Sequence, residues 1–109
     1  MALKEKALRR LAEKMAKKNI PWCAEGDWAR SMRDPSVSWH GFDILVAAAD
    51  LEKADQVLTR LGMREEAPDA LHFHFDGADI TLRAADDLAP LLGETVDVLG
   101  EKVILAKGE

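Results

Sequence analysis

The sequence of 109 residues has one cysteine, Cys23. A single cysteine excludes an internal disulfide and a cysteine-rich zinc site. Long apolar runs are missing too. The longest unbroken stretch, Ile44 to Ala49, is far short of a membrane span. The N-terminus is basic, but no apolar segment follows it, so a secretory signal is not expected. No internal repeat, low-complexity tract or linker divides the chain. The expectation is one cytoplasmic domain over residues 1–109 with no membrane contact, because a chain of this length has room for one core.

Apolar residues at 48% and charged residues at 32% are the composition of a folded domain rather than a disordered one. Acidic side chains outnumber basic ones by 20 to 15, which argues against broad binding of nucleic acid through its phosphates. The charge is unevenly placed. Residues 1–18 hold seven Lys and Arg against Glu5 and Glu13, and the remainder holds eight against eighteen acids.

Periodicity supplies the elements. Leu3, Ala7, Leu8, Leu11 and Met15 recur at helical spacing, so the basic segment is an amphipathic helix of four turns, stopped by Asn19. Ile20 to Ala24 reads as a short strand. Gly26-Asp27 opens a second helix through Met32, and Pro35 ends it. Phe42 to Ala47 is apolar on both faces, as a central strand requires. Asp50 is placed to cap a third helix, whose apolar stripe is Leu51, Ala54, Val57, Leu58 and Leu61, with Gly62 at the position of a left-handed C-cap. Asp76-Gly77 joins Leu71–Phe75 to Ala78–Leu82 as a hairpin, and a second hairpin pairs Val96–Val98 with Val103–Leu105 around Gly100. The order is α-β-α-β-α-β-β-β-β, with a weaker strand signal at Met63 to Glu66.

Four groups of residues invite a chemical reading. His72 and His74 share one strand face and, with His40, Asp43 or Asp79, form a candidate metal set. The alternative is a half-exposed strand with Phe73 and Phe75 on its core face. Cys23 is either a nucleophile or, more commonly, a small buried residue. Trp22, Trp28 and Trp39 either stack a base or fill the core, and the core is favoured because Trp28 shares its helix's apolar side with Met32. The basic first helix is either a solvated face or a docking surface for an acidic protein, nucleic acid or a second copy of the chain.

Taken in order, the segments resemble the small nucleotidyltransferases of abortive-infection and toxin–antitoxin type. Ile20 to Ala29 is similar to their strand–Gly-Gly–helix entry. Trp39 to Val46 resembles the next strand, which usually carries Asp-x-Asp, and Leu58 to Met63 resembles the helix exit after it. Phe75 to Leu82 is similar to the hairpin that carries a third aspartate, and Val96 to Leu105 to the terminal hairpin. Longer relatives continue into more helix, whereas this sequence ends at Ala106-Lys107-Gly108-Glu109.

The resemblance implies an α+β fold, a small mixed sheet with helices packed on one face. It also implies that Gly26, Asp27 and Trp28 receive a nucleoside triphosphate at a helix N-terminus. Asp43 and Asp79 become the catalytic and metal-holding carboxylates for Mg²⁺. Three positions depart from the pattern. Asp27 stands at the second glycine, Gly41 at the first aspartate and Thr81 at the third, with Asp79 two positions from Thr81 on the same face. The expectation is a nucleotidyltransferase-fold protein with an eroded catalytic set, acting as a binding or regulatory module. The alternatives are an active Mg²⁺-dependent enzyme moving a nucleotide to an acceptor through Asp43 and Asp79, and a docking module working through the first helix.

Overall fold

A computed structural model describes residues 2–107, without the side chains of Ala2 and Leu3. Leu3, expected in the first helix's stripe, therefore has its side chain outside the described residues, as do Gly108 and Glu109 entirely. Among the described residues are three α-helices, α1 (Ala2–Lys17), α2 (Gly26–Arg33) and α3 (Leu51–Thr59), and seven strands, β1 (Trp22–Ala24), β2 (Phe42–Ala47), β3 (Met63–Ala67), β4 (Ala70–Phe75), β5 (Ala78–Ala85), β6 (Leu92–Val98) and β7 (Glu101–Ala106). The strands form one sheet in the order β3-β4-β5-β2-β1-β7-β6. The pairs β2–β5 and β1–β7 are parallel and the others antiparallel, so the sheet is mixed.

β2 lies in the middle of the seven strands because it is apolar on both faces. Phe42, Ile44 and Val46 point to the helices and join Ala7, Leu8, Leu11 and Met15 of α1, Trp28 and Ala29 of α2, and Ala54 and Leu58 of α3 in one core. Leu45 points the other way, into a small cluster with Cys23 and Leu88. All three helices thus cover one face. Each large apolar side chain sealed there contributes about 1.5–3 kcal/mol.

Local signals account for most boundaries. Asn19 adopts φ 56° and closes α1: its N–H donates to the Ala16 carbonyl and that of Ile20 to Met15, both at 3.0 Å. Asp76 and Gly77 both have positive φ, as do Leu99 and Gly100, the backbone of tight two-residue hairpin turns. Arg10 Nη1 donates to both carboxylate oxygens of Asp76 at 2.9 Å, which fastens α1 to the β4–β5 turn.

Two expectations are corrected. Asp50 stands at the N-cap of α3 but makes no side-chain capping bond, because a turn of 3₁₀ helix, Ala48–Asp50, leads into the helix instead. Gly62 is not among the residues with positive φ. It is glycine for lack of space: a Cβ there would collide with the His74 carbonyl oxygen and lie 2.7 Å from Phe75 Cβ. The weak signal at Met63 to Glu66 is a full edge strand, β3, paired with β4. β6 also starts earlier than expected, at Leu92.

Gly62→Ala is therefore expected to destabilise the fold by about 1–3 kcal/mol, the ordinary cost of overpacking. Gly100→Asn is expected to cost less, about 1 kcal/mol, because its φ of +86° strains any side chain, asparagine least, while nothing lies within 4 Å of its Cβ position. Urea denaturation of both variants checks the pair; equal losses would contradict the steric reading of Gly62.

Candidate functional site

Side chains alternate along a strand, so the residues between the core positions share the helix-free face. Phe42 and Ile44 flank Asp43. Ile80 and Leu82 flank Thr81, with Asp79 one step before Ile80. Phe73 and Phe75 flank His74, and His72 precedes Phe73. The register sets Asp43 opposite Thr81, Thr81 opposite His72, and Asp79 opposite His74. Together these residues line a cavity of about 490 Å³, completed by Asp27, His40, Gly41 and Glu65 among others. All three histidines of the chain meet there.

Contacts across β4 and β5 hold the imidazoles. His74 Nδ1 lies 2.7 Å from Asp79 Oδ1, and His72 Nδ1 lies 3.2 Å from Thr81 Oγ1. Asp79 thus spends its carboxylate on His74.

Asp43 has a different neighbour. The Trp28 N–H donates to Asp43 Oδ2 at 3.3 Å, at the third residue of α2. Glu25, at the N-cap position, makes no side-chain cap, so the anion at this helix start is supplied from β2. Gly26 makes the approach feasible. It has φ +58°, and a Cβ there would lie 3.2 Å from Asp43 Oδ2. Asp27, at the exposed edge of the cavity, accepts from Arg30 Nη1 at 2.8 Å. Burial pushes the Asp43 carboxyl above the usual aspartate range. The Trp28 N–H, Arg83 and His72 pull it back, and Asp27 adds to the rise.

Sequence reasoning missed Glu25 and Arg83. Arg83 Nη1 donates to Glu25 Oε2 at 3.4 Å, next to Asp43. Burial raises the Glu25 carboxyl, and Arg83 opposes the rise. The signal available was spacing: Arg83 follows Asp79 and Thr81 at two-residue intervals on β5, hence on the same face.

The remaining candidates resolve as packing. Cys23 is buried, and burial followed by the Glu25 charge pushes its thiol up to about 11, the reverse of an activated nucleophile. Trp28 is 1% exposed, with its ring 6.4 Å from Trp22 and from Trp39 and 4.8 Å from Phe42. Trp22 and Trp39 pack against the same core, and no tryptophan lines the cavity.

Of the three carboxylates that the resemblance implies for an Mg²⁺ site, β2 and β5 bring two, Asp43 and Asp79, to the cavity. Among the described residues, no three His, Cys, Asp or Glu side chains are gathered to hold a metal, the His72–His74 set included. Gly41 has no ligand atom, and a Cβ there would lie 2.5 Å from the Asp79 carbonyl oxygen. A carboxylate cannot enter at that position without moving β5.

Solved structures share this architecture. A candidate nucleotidyltransferase from Thermotoga maritima superposes with a TM-score of 0.70 at 12% identity, over 93% of this chain and 75% of that one. ANT(2″)-Ia in complex with adenylyl-2″-tobramycin superposes with a TM-score of 0.73 at 13% identity, over 94% of this chain and 68% of that one. The solution structure of the antibiotic-resistance factor ANT(2″)-Ia gives 0.72 at 12% identity, over 94% and 64%. No family model and no curated protein matches the sequence. The likeness establishes the fold: this is a nucleotidyltransferase fold, a mixed sheet with helices on one face. Among the described residues no helix is long and apolar enough to cross a membrane.

The Asp43 geometry carries a pH signature. A carboxyl raised in the folded state favours folding most below its ordinary value of 3.8, and that benefit is lost as pH rises through the raised value. Asp43→Asn keeps an oxygen for the Trp28 N–H and removes the charge. The variant is expected to melt above wild type at pH 7, with the gap closing below pH 3.8. Thermal melts by circular dichroism at both pH values test this; a lower melting temperature at pH 7 would show that the charge itself holds α2.

Proposed function

We propose that this nucleotidyltransferase-fold chain is a binding or regulatory module that does not transfer nucleotides. Gly41 carries the reading. It occupies the position where the resembling family places its first metal-holding aspartate, and its backbone lies against the Asp79 carbonyl with no room for a side chain. Two further features agree. Thr81, in the place of the third aspartate, faces Asp43 across the sheet and engages His72. The α2 N-terminus, where Gly26, Asp27 and Trp28 would receive a triphosphate, already holds the Asp43 carboxylate. Asp27, Asp43, Glu65 and Asp79 add negative charge around the cavity, which opposes a triphosphate that brings no metal. The relation to abortive-infection and toxin–antitoxin proteins, and a cytoplasmic location, belong to the same proposal.

A second reading is favoured by one observation: Asp43 and Asp79 line a single cavity beside the Gly26 turn. On that reading the chain is an active enzyme that binds Mg²⁺ through both carboxylates and moves a nucleotide from a nucleoside triphosphate to an acceptor.

Incubation with labelled nucleoside triphosphates and Mg²⁺ or Mn²⁺ separates the two. The expected result is no labelled product above background. Gly41→Asp is expected to lose stability by about 1–3 kcal/mol without gaining transfer. Robust transfer abolished by Asp43→Ala would reverse the assignment and establish the enzyme.

A further inference from the structure

The positive charge of α1 divides into two parts in the fold. Toward its start three of the four cations have partners within the chain, and Lys6 enters no ion pair among the described residues. Lys4 Nζ lies 4.6 Å from the centroid of the Trp39 ring, Arg9 pairs with Glu5, and Arg10 holds Asp76. At its end they do not. Among the described residues, Lys14, Lys17 and Lys18 enter no ion pair, and neither does Arg60, which follows α3. These four side chains, with Arg10, surround a groove of about 390 Å³ between the two helices, whose floor includes Val57 and Leu61. Lysine and arginine at helix C-termini suit the dipoles, which explains the sign of each residue singly. It does not relieve the repulsion among four cations drawn to one groove from two elements.

We infer that this groove is a docking site for an acidic segment of a partner protein, in which carboxylates meet the Lys14, Lys17, Lys18 and Arg60 rim and an apolar side chain rests on Val57 and Leu61. Charge complementarity supplies the rim, and the apolar floor selects for a segment that mixes acidic and apolar residues. A nucleic acid fits less well. Its charges recur about every 1.7 Å and would run on past the groove. The body they would pass is only 33 × 32 × 27 Å across and, outside residues 1–18, carries more acidic than basic side chains. The inference is independent of whether the cavity under β2 turns over a substrate, since it shares no residue with that cavity.

The test uses the full chain and a fluorescent peptide of alternating glutamate and leucine. Controls are the same peptide with glutamine for glutamate, and a labelled oligonucleotide, single-stranded and duplex. Anisotropy is expected to show saturable binding of the acidic peptide that weakens with salt. The combined variant Lys14→Glu, Lys17→Glu and Lys18→Glu is expected to bind about tenfold more weakly or worse. Arg60→Gln should weaken binding in the same direction, and Leu61→Ser should weaken it without changing the salt dependence. Lys14→Gln, Lys17→Gln and Lys18→Gln together serve where the reversal impairs folding, as judged by thermal melts. Absent binding of the acidic peptide, or binding that none of these changes weakens, overturns the inference. So does preferential capture of the oligonucleotide through the same residues, which would assign the groove to nucleic acid.

Discussion

The parallel pairing of β2 with β5 is the constraint on which the rest of the molecule depends. Six residue pairs, from Phe42 with Ile80 to Ala47 with Ala85, fix it. The register is enforced from below, because Phe42, Ile44, Val46, Ile80 and Leu82 must all reach the helices. A slip of β2 by one residue against β5 would turn Phe42, Ile44 and Val46 to the opposite face and put Asp43 into the core. The core therefore positions the polar face, and no separate device is needed to gather His72, His74, Asp79 and Thr81. The same pairing brings Gly41 against the Asp79 backbone. One packing decision both builds the cavity and closes the place where a further carboxylate would stand.

How much of this was legible in the sequence depended on the range of the interaction. Asn19, Asp76-Gly77 and the alternation of Leu71–Phe75 announce their structures because turn conformation and face are settled within a few residues. Gly62 was misread because its role is set by the His74 carbonyl, twelve positions away, and not by the end of its own helix. Asp50 was misread because a 3₁₀ turn competes with side-chain capping at the same place. β3 gave a weak signal because an edge strand exposed on most of its residues, MREEA, carries almost no alternation. In the site, the shared face of His72 and His74 and the place of Asp43 on β2 followed from period two alone. The capping of α2 by Asp43 and the Glu25–Arg83 pair did not, since both join residues distant in the chain.

Charge is distributed by a similar logic. Long-range pairs tie the periphery to the sheet: Arg33 of α2 donates to Glu94 of β6 and to the Ala106 carbonyl of β7, and Arg64 of β3 reaches Asp55 of α3. Exposed pairs of this kind contribute about 0–1 kcal/mol each, so they adjust orientation more than stability. The stability rests on the layer beneath, where Trp28, Phe42 and Trp39 interlock and no buried polar side chain is left without a partner among the described residues.

The Arg10–Asp76 link joins residues 66 positions apart. At ribosomal speeds of about 5–20 residues per second, α1 would be made about 3–13 s before the turn that fastens it. Leu105, which shares its core, comes later still. During that interval Leu8, Leu11 and Met15 have at most part of the sheet to cover. The helix is made before the turn that fastens it, and its dense positive charge favours solubility while the apolar stripe waits.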